Sequence, residues 1–542
     1  MRLSRVFQDG MVLQRNKPIF VWGTSEKTES IEVRICGKYI GQFKVSEGDF
    51  SFCIPAQGAA ENVEITIGDA VLHNVDIGEV WLAGGQSNME FALEFTSEWE
   101  TEQAVADDEH LRVYTVGQYS FHGEREQGYK SWHTNWDNWL PYKKEFRADF
   151  TAAGCFFAKE LRKSGVPVGI ISCNWGGTSA SAWLSTKELE ADLDLKVYLD
   201  EFYALAKYLD NPKMNSIKDQ IRKNMASKQA LEGMKPMMKY TLSPEDFRKN
   251  IPQPDFLPGI DLSKVNPFKA SNWGPGDSNA PAALWENMVK EVLGYSLQGI
   301  IWYQGESDDE KAGLYSKLFT ALIKSWRENW QKKNPSQDRL PFLFAQLAPM
   351  GIWGMTSGAA YPKVRQQQEL VSKSVPDVYM ISTSDAGNIY DIHPKSKLQI
   401  GKRFALLAQK YIYGMNVVAD APEAETAKKD GNKIEITFKA AQNLTIKLED
   451  FSSFNGFSAE KITNLFAPSI VDNVCGLGVN IDNADCKAVK CSVQENKLIL
   501  ESERFEKAKV IKIFFATTPF YQVNLYNEGG LPAKPFVFII KE

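Results

Sequence analysis

Between residues 77 and 415 short apolar runs alternate with amphipathic stretches, a pattern that restricts the fold more than any other feature of the chain. The strand-like runs are Glu79-Val-Trp-Leu-Ala83, Val168-Gly-Ile-Ile-Ser172, Gly299-Ile-Ile-Trp-Tyr303, the stretch 341–347 and Val378-Tyr-Met-Ile-Ser382. Helical periodicity marks 152–163, 315–332 and 395–413, the last after Pro394, a residue suited to a first helical turn. Continuous apolar strands separated by helices predict a parallel sheet covered on both faces.

The flanks differ. Residues 18–23, 31–36 and 63–67 read as short strands between turns, with no helix among them, and 433–438 and 510–515 return to the same character. The expected organisation is an N-terminal β-domain over 1–76, an α/β domain over 77–415 and a C-terminal β-domain over 416–542, both β-domains sandwich-like. Residues 186–250 are charged and helix-prone and 252–281 are Pro-rich, so about 186–281 is expected to be a mainly helical insertion.

Charge and composition remove several function classes. A net charge of −6 with a pI near 5.7 does not supply the basic stripe of a nucleic-acid surface. No run of about eighteen apolar residues is present, so no helical membrane span is expected. Residues 1–9 carry no apolar stretch of a secretory leader. Seven cysteines in 542 residues argue against a disulfide framework, leaving one bridge open among Cys475, Cys486 and Cys491. The acidic residues of 482–485 are oxygen ligands of the kind calcium takes, without a full loop motif. There is no G-x-G-x-x-G dinucleotide fingerprint.

Ligands of open parallel sheets bind beyond the carboxyl ends of the strands. Four of the five strands run there into polar, mostly glycine-containing turns. These are Gly84-Gly-Gln-Ser-Asn-Met89, Cys173-Asn-Trp-Gly-Gly-Thr178, Gln304-Gly-Glu-Ser-Asp308, and Asp385 followed by Asp391-Ile-His393. Ser87, after two glycines, has the placement of a nucleophile on a tight turn; capping the next helix is the competing reading. A serine nucleophile needs a base. Of five histidines (73, 110, 122, 133 and 393), only His393 follows a sheet strand and has a carboxylate, Asp391, two residues before it. The Ser87 N–H, the backbone of Gly176 and Gly177 and the Gln304 amide are candidate oxyanion donors. Each also has a bland reading, as ordinary turn or satisfied strand-end residue.

These motifs together resemble the carbohydrate-esterase branch of the SGNH hydrolases that includes the sialate O-acetylesterases. The resemblance rests on Val80-Trp-Leu-Ala-Gly-Gly-Gln-Ser-Asn-Met-Glu90, Asn174-Trp-Gly-Gly-Thr-Ser179 with Ala182-Trp183, Ile301-Trp-Tyr-Gln-Gly-Glu-Ser307 and Asp391-Ile-His-Pro-Lys395. Phe7-Gln-Asp-Gly-Met-Val-Leu-Gln-Arg15, Leu284-Trp-Glu-Asn-Met288 and Asn524-Leu-Tyr-Asn-Glu-Gly-Gly-Leu-Pro532 add to it. It implies an SGNH-type, flavodoxin-like sheet and a serine esterase that removes O-acetyl groups from carbohydrates, sialic acids first, with acetylated xylan or another plant glycan as the alternative. It further implies Ser87 as nucleophile, His393 as base and Asp391 as its acid, with Asp385 or no carboxylate as alternatives. Trp175, Asn287, Trp302, Glu306 and Arg365 are the implied substrate contacts, Arg365 for a sialic acid carboxylate. No cofactor and no metal are required. The substrates imply a periplasmic or secreted setting. A rival of another class is a non-catalytic carbohydrate-binding protein on a hydrolase scaffold.

Overall fold

The computed structural model describes residues 1–122, 124, 135–209, 235–242, 246, 277–354, 356–447, 453–454, 457–458 and 470–542. His133 and the Pro-rich stretch from 252 to 276 lie outside the described residues. Its central sheet has the spatial order Trp139–Tyr142, Asp108–Thr115, Val168–Asn174, Ala70–Gly85, Gly299–Tyr303, Phe342–Ala345, Val378–Ile381. All neighbours are parallel except the Trp139–Tyr142 edge, which runs antiparallel to Asp108–Thr115.

Alternate residues of the Ala70–Gly85 strand feed two separate cores. Val80 and Leu82 pack with Trp302, Phe319 and Trp326 on one face, whereas Trp81 and Ala83 pack with Phe157, Ile301 and Phe404 on the other. Helices Tyr315–Lys333 and Tyr361–Ser374 cover the first face, and Ala152–Arg162 and Leu398–Tyr411 the second. Each fully buried Trp, Leu or Phe of these layers contributes roughly 1.5–3 kcal/mol of burial free energy, which is why the helices cannot leave the sheet.

The passage from the N-terminal strands into the sheet has no linker. Ala70–Gly85 is one continuous 16-residue strand. Its first half pairs antiparallel with Ala60–Ile67 and its second half parallel with Val168–Asn174 and Gly299–Tyr303. The residue expected to end the first unit, Asp76, therefore sits mid-strand. Gly78 permits the crossing: a Cβ there would lie 2.0 Å from the Pro167 carbonyl oxygen. At the other end of the chain two antiparallel sheets share one buried cluster. Ile434, Ile436, Leu498 and Leu500 of one sheet meet Val479, Ile511, Ile513 and Phe515 of the other. Within it the acidic cluster has a local explanation. Asp482 and Asn483 form the tip of a tight hairpin with φ of 48° and 69°, and the Asp482 carboxylate accepts from Lys509 and Val510 N–H. All seven cysteines are free, so the bridge left open among the last three does not form.

Six parallel strands stand where five were expected. Asp108–Thr115 reads as polar because it carries Arg112, yet Arg112 is buried and paired 3.0 Å from Asp76. The added strand places Ala70–Gly85 centrally, with the chain stepping outward to Val168–Asn174 on one side and to Gly299–Tyr303 on the other. Where connections leave a strand in opposite directions, the loops at its carboxyl end splay into a crevice. Ser87 is at that point.

Candidate functional site

The strand ends in Gly85, whose φ is 134° and whose hypothetical Cβ would meet the Tyr303 carbonyl oxygen at 2.2 Å. Only glycine fits there, and the turn it makes delivers Ser87 to the first position of the short helix Ser87–Glu90. Gln86 locks the turn to the neighbouring strand end: its Oε1 accepts from Gly305 and Ser307 N–H, both at 3.3 Å.

The Ser87 hydroxyl lies 2.9 Å from His393 Nε2, across 306 residues of sequence. The imidazole is buried, 5.7 Å from the Phe91 ring and edge-on to the Trp353 indole at 5.2 Å, centroid to centroid. Burial holds its pKa below the ordinary histidine value against the opposing pull of Asp391, so the ring is neutral at pH 7 and fit to accept a proton. Asp391 is close but not hydrogen-bonded to the ring. Its Oδ1 accepts the His393 backbone N–H at 2.8 Å and stands 3.6 Å from Nδ1, while Oδ2 pairs with Lys395 at 2.7 Å. Burial alone would raise the Asp391 pKa; His393 and the Lys395 ammonium outweigh it and keep the carboxylate ionised. Asp385, the alternative acid, is committed elsewhere, with both oxygens held by Arg403 at 2.7 Å.

The glycine turn after Val168–Asn174 comes against Ser87. A Cβ on Gly176 would lie 3.1 Å from Ser87 Cβ. The Gly176 N–H, however, donates to Glu90 Oε2, so this expected oxyanion donor is already used, and Glu90 instead ties the glycine turn to the serine helix. Gly177 N–H and Ser87 N–H make no hydrogen bond among the described residues. Gln304 is a second correction. Its amide donates to Thr178 O at 3.1 Å and to Asp308 at 2.5 Å, and its oxygen accepts from Tyr315, so it braces two loops and has no N–H left for substrate.

Three implied substrate contacts are also corrected. Trp302 is fully buried, edge-on to Trp183 at 6.0 Å and to Trp326 at 5.7 Å, and cannot present a face to a sugar. Arg365 is 2% exposed, donates to Thr518 O at 2.6 Å and lies 5.0 Å over the Tyr521 ring. It fastens the helix Tyr361–Ser374 to the loop between strands Val510–Phe515 and Leu525–Asn527. Asn287 donates to Ala283 O within its own helical turn and makes no hydrogen bond to the Ser87 cluster among the described residues. Trp175 stays partly exposed beside Gly176, its N–H on Gly85 O at 3.1 Å. Glu306 is at the site but underneath it: buried, bonded to Asn88 Nδ2 at 2.6 Å, and pushed by burial up to about 7.

Several site residues escaped sequence reasoning. Trp353 follows the one strand whose end looked chemically silent, on a hairpin pairing Ile352–Trp353 with Thr356–Ser357. Thr241, from the 186–281 insertion, donates to Asp391 Oδ2 at 3.4 Å, and Lys395 donates to the Met238 carbonyl at 2.6 Å. Asn88 and Lys395 fall inside the strand-end motifs and Lys397 two residues past the last of them, but nothing local distinguishes them from surface polar residues.

Residues 77–201 and 268–410 match the family described as carbohydrate esterase, sialic acid-specific acetylesterase. The sialate O-acetylesterase of Homo sapiens is 24% identical over 515 residues, covering 91% of this chain and 80% of the human protein. That of Pongo abelii is 23% identical over the same length. Among solved structures, a carbohydrate acetylesterase from Xanthomonas citri superimposes with a TM-score of 0.67 at 25% identity, over 99% of both chains.

Proposed function

The chain belongs to the sialic acid-specific acetylesterase family of carbohydrate esterases, and from that premise we propose that Ser87 and His393 perform the ester cleavage and that O-acetylated sialic acids are the substrates. Hydrolysis of acetyl esters on carbohydrates follows from the family. The observation that carries the residue assignment is the 2.9 Å contact of Ser87 Oγ with the buried His393 imidazole at the carboxyl edge of the sheet.

In this reading Ser87 Oγ attacks the acetyl carbonyl carbon as His393 Nε2 takes the hydroxyl proton. The tetrahedral oxyanion is met by the Ser87 and Gly177 N–H groups. Collapse expels the sugar alkoxide, which recovers the proton from His393, and leaves acetyl-Ser87. Water, deprotonated by His393, attacks the acyl carbon; acetate leaves and the serine is restored. Asp391 stabilises the imidazolium through space and orients its loop through the His393 backbone N–H. The side chain of Trp175 offers the sugar a flat apolar face. Arg365 has no part in carboxylate recognition.

Serine after the first strand and Asp-x-His after the last support an SGNH-type reading of the sheet. We assign chemistry to residues 77–415 and supporting roles to the flanking β-units 1–76 and 416–542. No helix among the described residues is long and apolar enough to cross a membrane. A periplasmic or secreted setting suits such glycan substrates.

Ser87→Ala should abolish p-nitrophenyl acetate turnover while the circular dichroism spectrum is retained; full activity would remove the assignment. Acetate release from a panel of O-acetylated sialic acids and acetylxylan tests the substrate, and turnover of acetylxylan alone would replace it.

A further inference from the structure

A buried polar cluster beneath Ser87 is not used by the chemistry above. Asn88 Nδ2 donates to Glu306 Oε1 at 2.6 Å and to the Ile392 carbonyl at 3.0 Å. Lys397 Nζ donates to Asn88 Oδ1 at 2.7 Å and to the Pro394 carbonyl at 2.8 Å. The two carbonyls flank His393. The peptides on both sides of the imidazole are thus fastened, directly or through one lysine, to the residue that follows Ser87.

Stability alone is a poor reason for this arrangement. Lys397 is 0% exposed, and it sits at the N-cap of Leu398–Tyr411, where the helix dipole opposes a cation. Burial lowers its pKa to about 7, against the pull of Glu306. Lys397 reaches Glu306 only through Asn88, and buried charged groups are often replaceable by apolar residues without loss of stability; the better-attested reason to keep them is to specify a geometry. The geometry here is the approach of two catalytic side chains contributed by loops 306 residues apart.

We infer that Asn88, Lys397 and Glu306 form a positioning clamp that holds the His393 loop in register with the Ser87 turn, acting on turnover and not on sugar binding. The inference rests on the Ser87–His393 reading. None of the three touches the reacting atoms; they act through the Ile392 and Pro394 peptides. Glu306 balances the Lys397 charge, and the Lys397 ammonium lies 4.6 Å over the Phe91 ring, which in turn packs against the imidazole.

The test is steady-state kinetics of Lys397→Met and Asn88→Ala on p-nitrophenyl acetate, beside Ser87→Ala. A loosened clamp lets the imidazole drift, and misplacement of a catalytic group by about 1 Å costs on the order of 100-fold. The expected result is a fall in kcat of roughly 10- to 100-fold with KM within about twofold, and an equal fall in the rate at which a fluorophosphonate labels Ser87. The pH profile adds a readout that a merely structural role would not move. The charged groups facing His393 are Asp391, Lys395 and Lys397; removing the Lys397 cation should shift the acid limb of kcat/KM to higher pH. If Ser87→Ala is inactive while both variants keep kcat within about threefold, the clamp is overturned and the nucleophile stands. If Ser87→Ala is active, the underlying reading fails. Should Lys397→Met not fold, Asn88→Ala, which leaves the Lys397–Pro394 bond in place, decides on the same criteria.

Discussion

Replacing Asp391 by Asn separates a through-space carboxylate from one that grips the imidazole. When the acid hydrogen-bonds Nδ1 directly, its conversion to the amide costs about 10⁴ in kcat, because the ring is left in the wrong tautomer. Here Oδ1 is 3.6 Å from Nδ1 and is already bonded to the His393 N–H. What remains is charge stabilisation of the imidazolium formed during attack. At 3.6 Å and an effective dielectric of about 20, a unit pair interacts by about 4.6 kcal/mol. Lys395, 2.7 Å from the other oxygen, cancels part of that field. Taking about half as the surviving term leaves roughly 2.3 kcal/mol, a loss of about 50-fold in kcat. The amide oxygen still accepts the His393 N–H, so the loop should hold and KM should change little. The assay is p-nitrophenyl acetate turnover at saturating substrate, with Asp385→Asn as the control. Asp385 serves Arg403, so that control should keep its kcat even if it melts earlier. A loss below about fivefold for Asp391→Asn would refute the electrostatic role. A loss near 10⁴ would show that the Nδ1 contact becomes a direct bond during turnover, and would refute the magnitude worked here.

The pH dependence has a definite sign. In the proposed mechanism His393 works when neutral, and burial lowers its pKa below 6.5, so the acid limb of kcat/KM should lie below pH 6.5; a limb centred above pH 7 would contradict this. The same shift makes the unfolded chain bind more protons than the folded one just below pH 6.5, so His393 also predicts falling stability on acidification through that range, measurable as Tm against pH. Arg365→Ala removes a charged hydrogen bond to Thr518 and a cation–π contact with Tyr521. It should cost about 2–3 kcal/mol and lower Tm, with KM for an acetylated sialic acid within about twofold. A tenfold rise in KM without a change in Tm would return Arg365 to the substrate site.

What the sequence determined by itself was the set of strand ends and the residue types upon them. Apolar runs of strand length are recognisable without context, and a serine behind two glycines or a histidine two residues after an aspartate is recognisable once the strand before it is. Ser87, Asp391 and His393 were therefore legible. Asp108–Thr115 was not, because a buried Arg112–Asp76 pair makes an interior strand look like a surface one. The tertiary structure decided which of the polar groups gathered at the sheet edge face the crevice. Gln304 and Arg365 have the right chemistry for an oxyanion or a carboxylate, yet Gln304 spends its donors on Thr178 and Asp308, and Arg365 is buried against Thr518 and Tyr521. Trp302 is walled in by Trp183 and Trp326. Asn88 and Lys397 are unremarkable in the sequence and become a clamp only because Ile392 and Pro394 turn their carbonyls toward them. Residue type and local period are properties of a few neighbouring residues. The direction in which a side chain spends its hydrogen bonds is set by whatever folding brings against it, here from loops some 300 residues away.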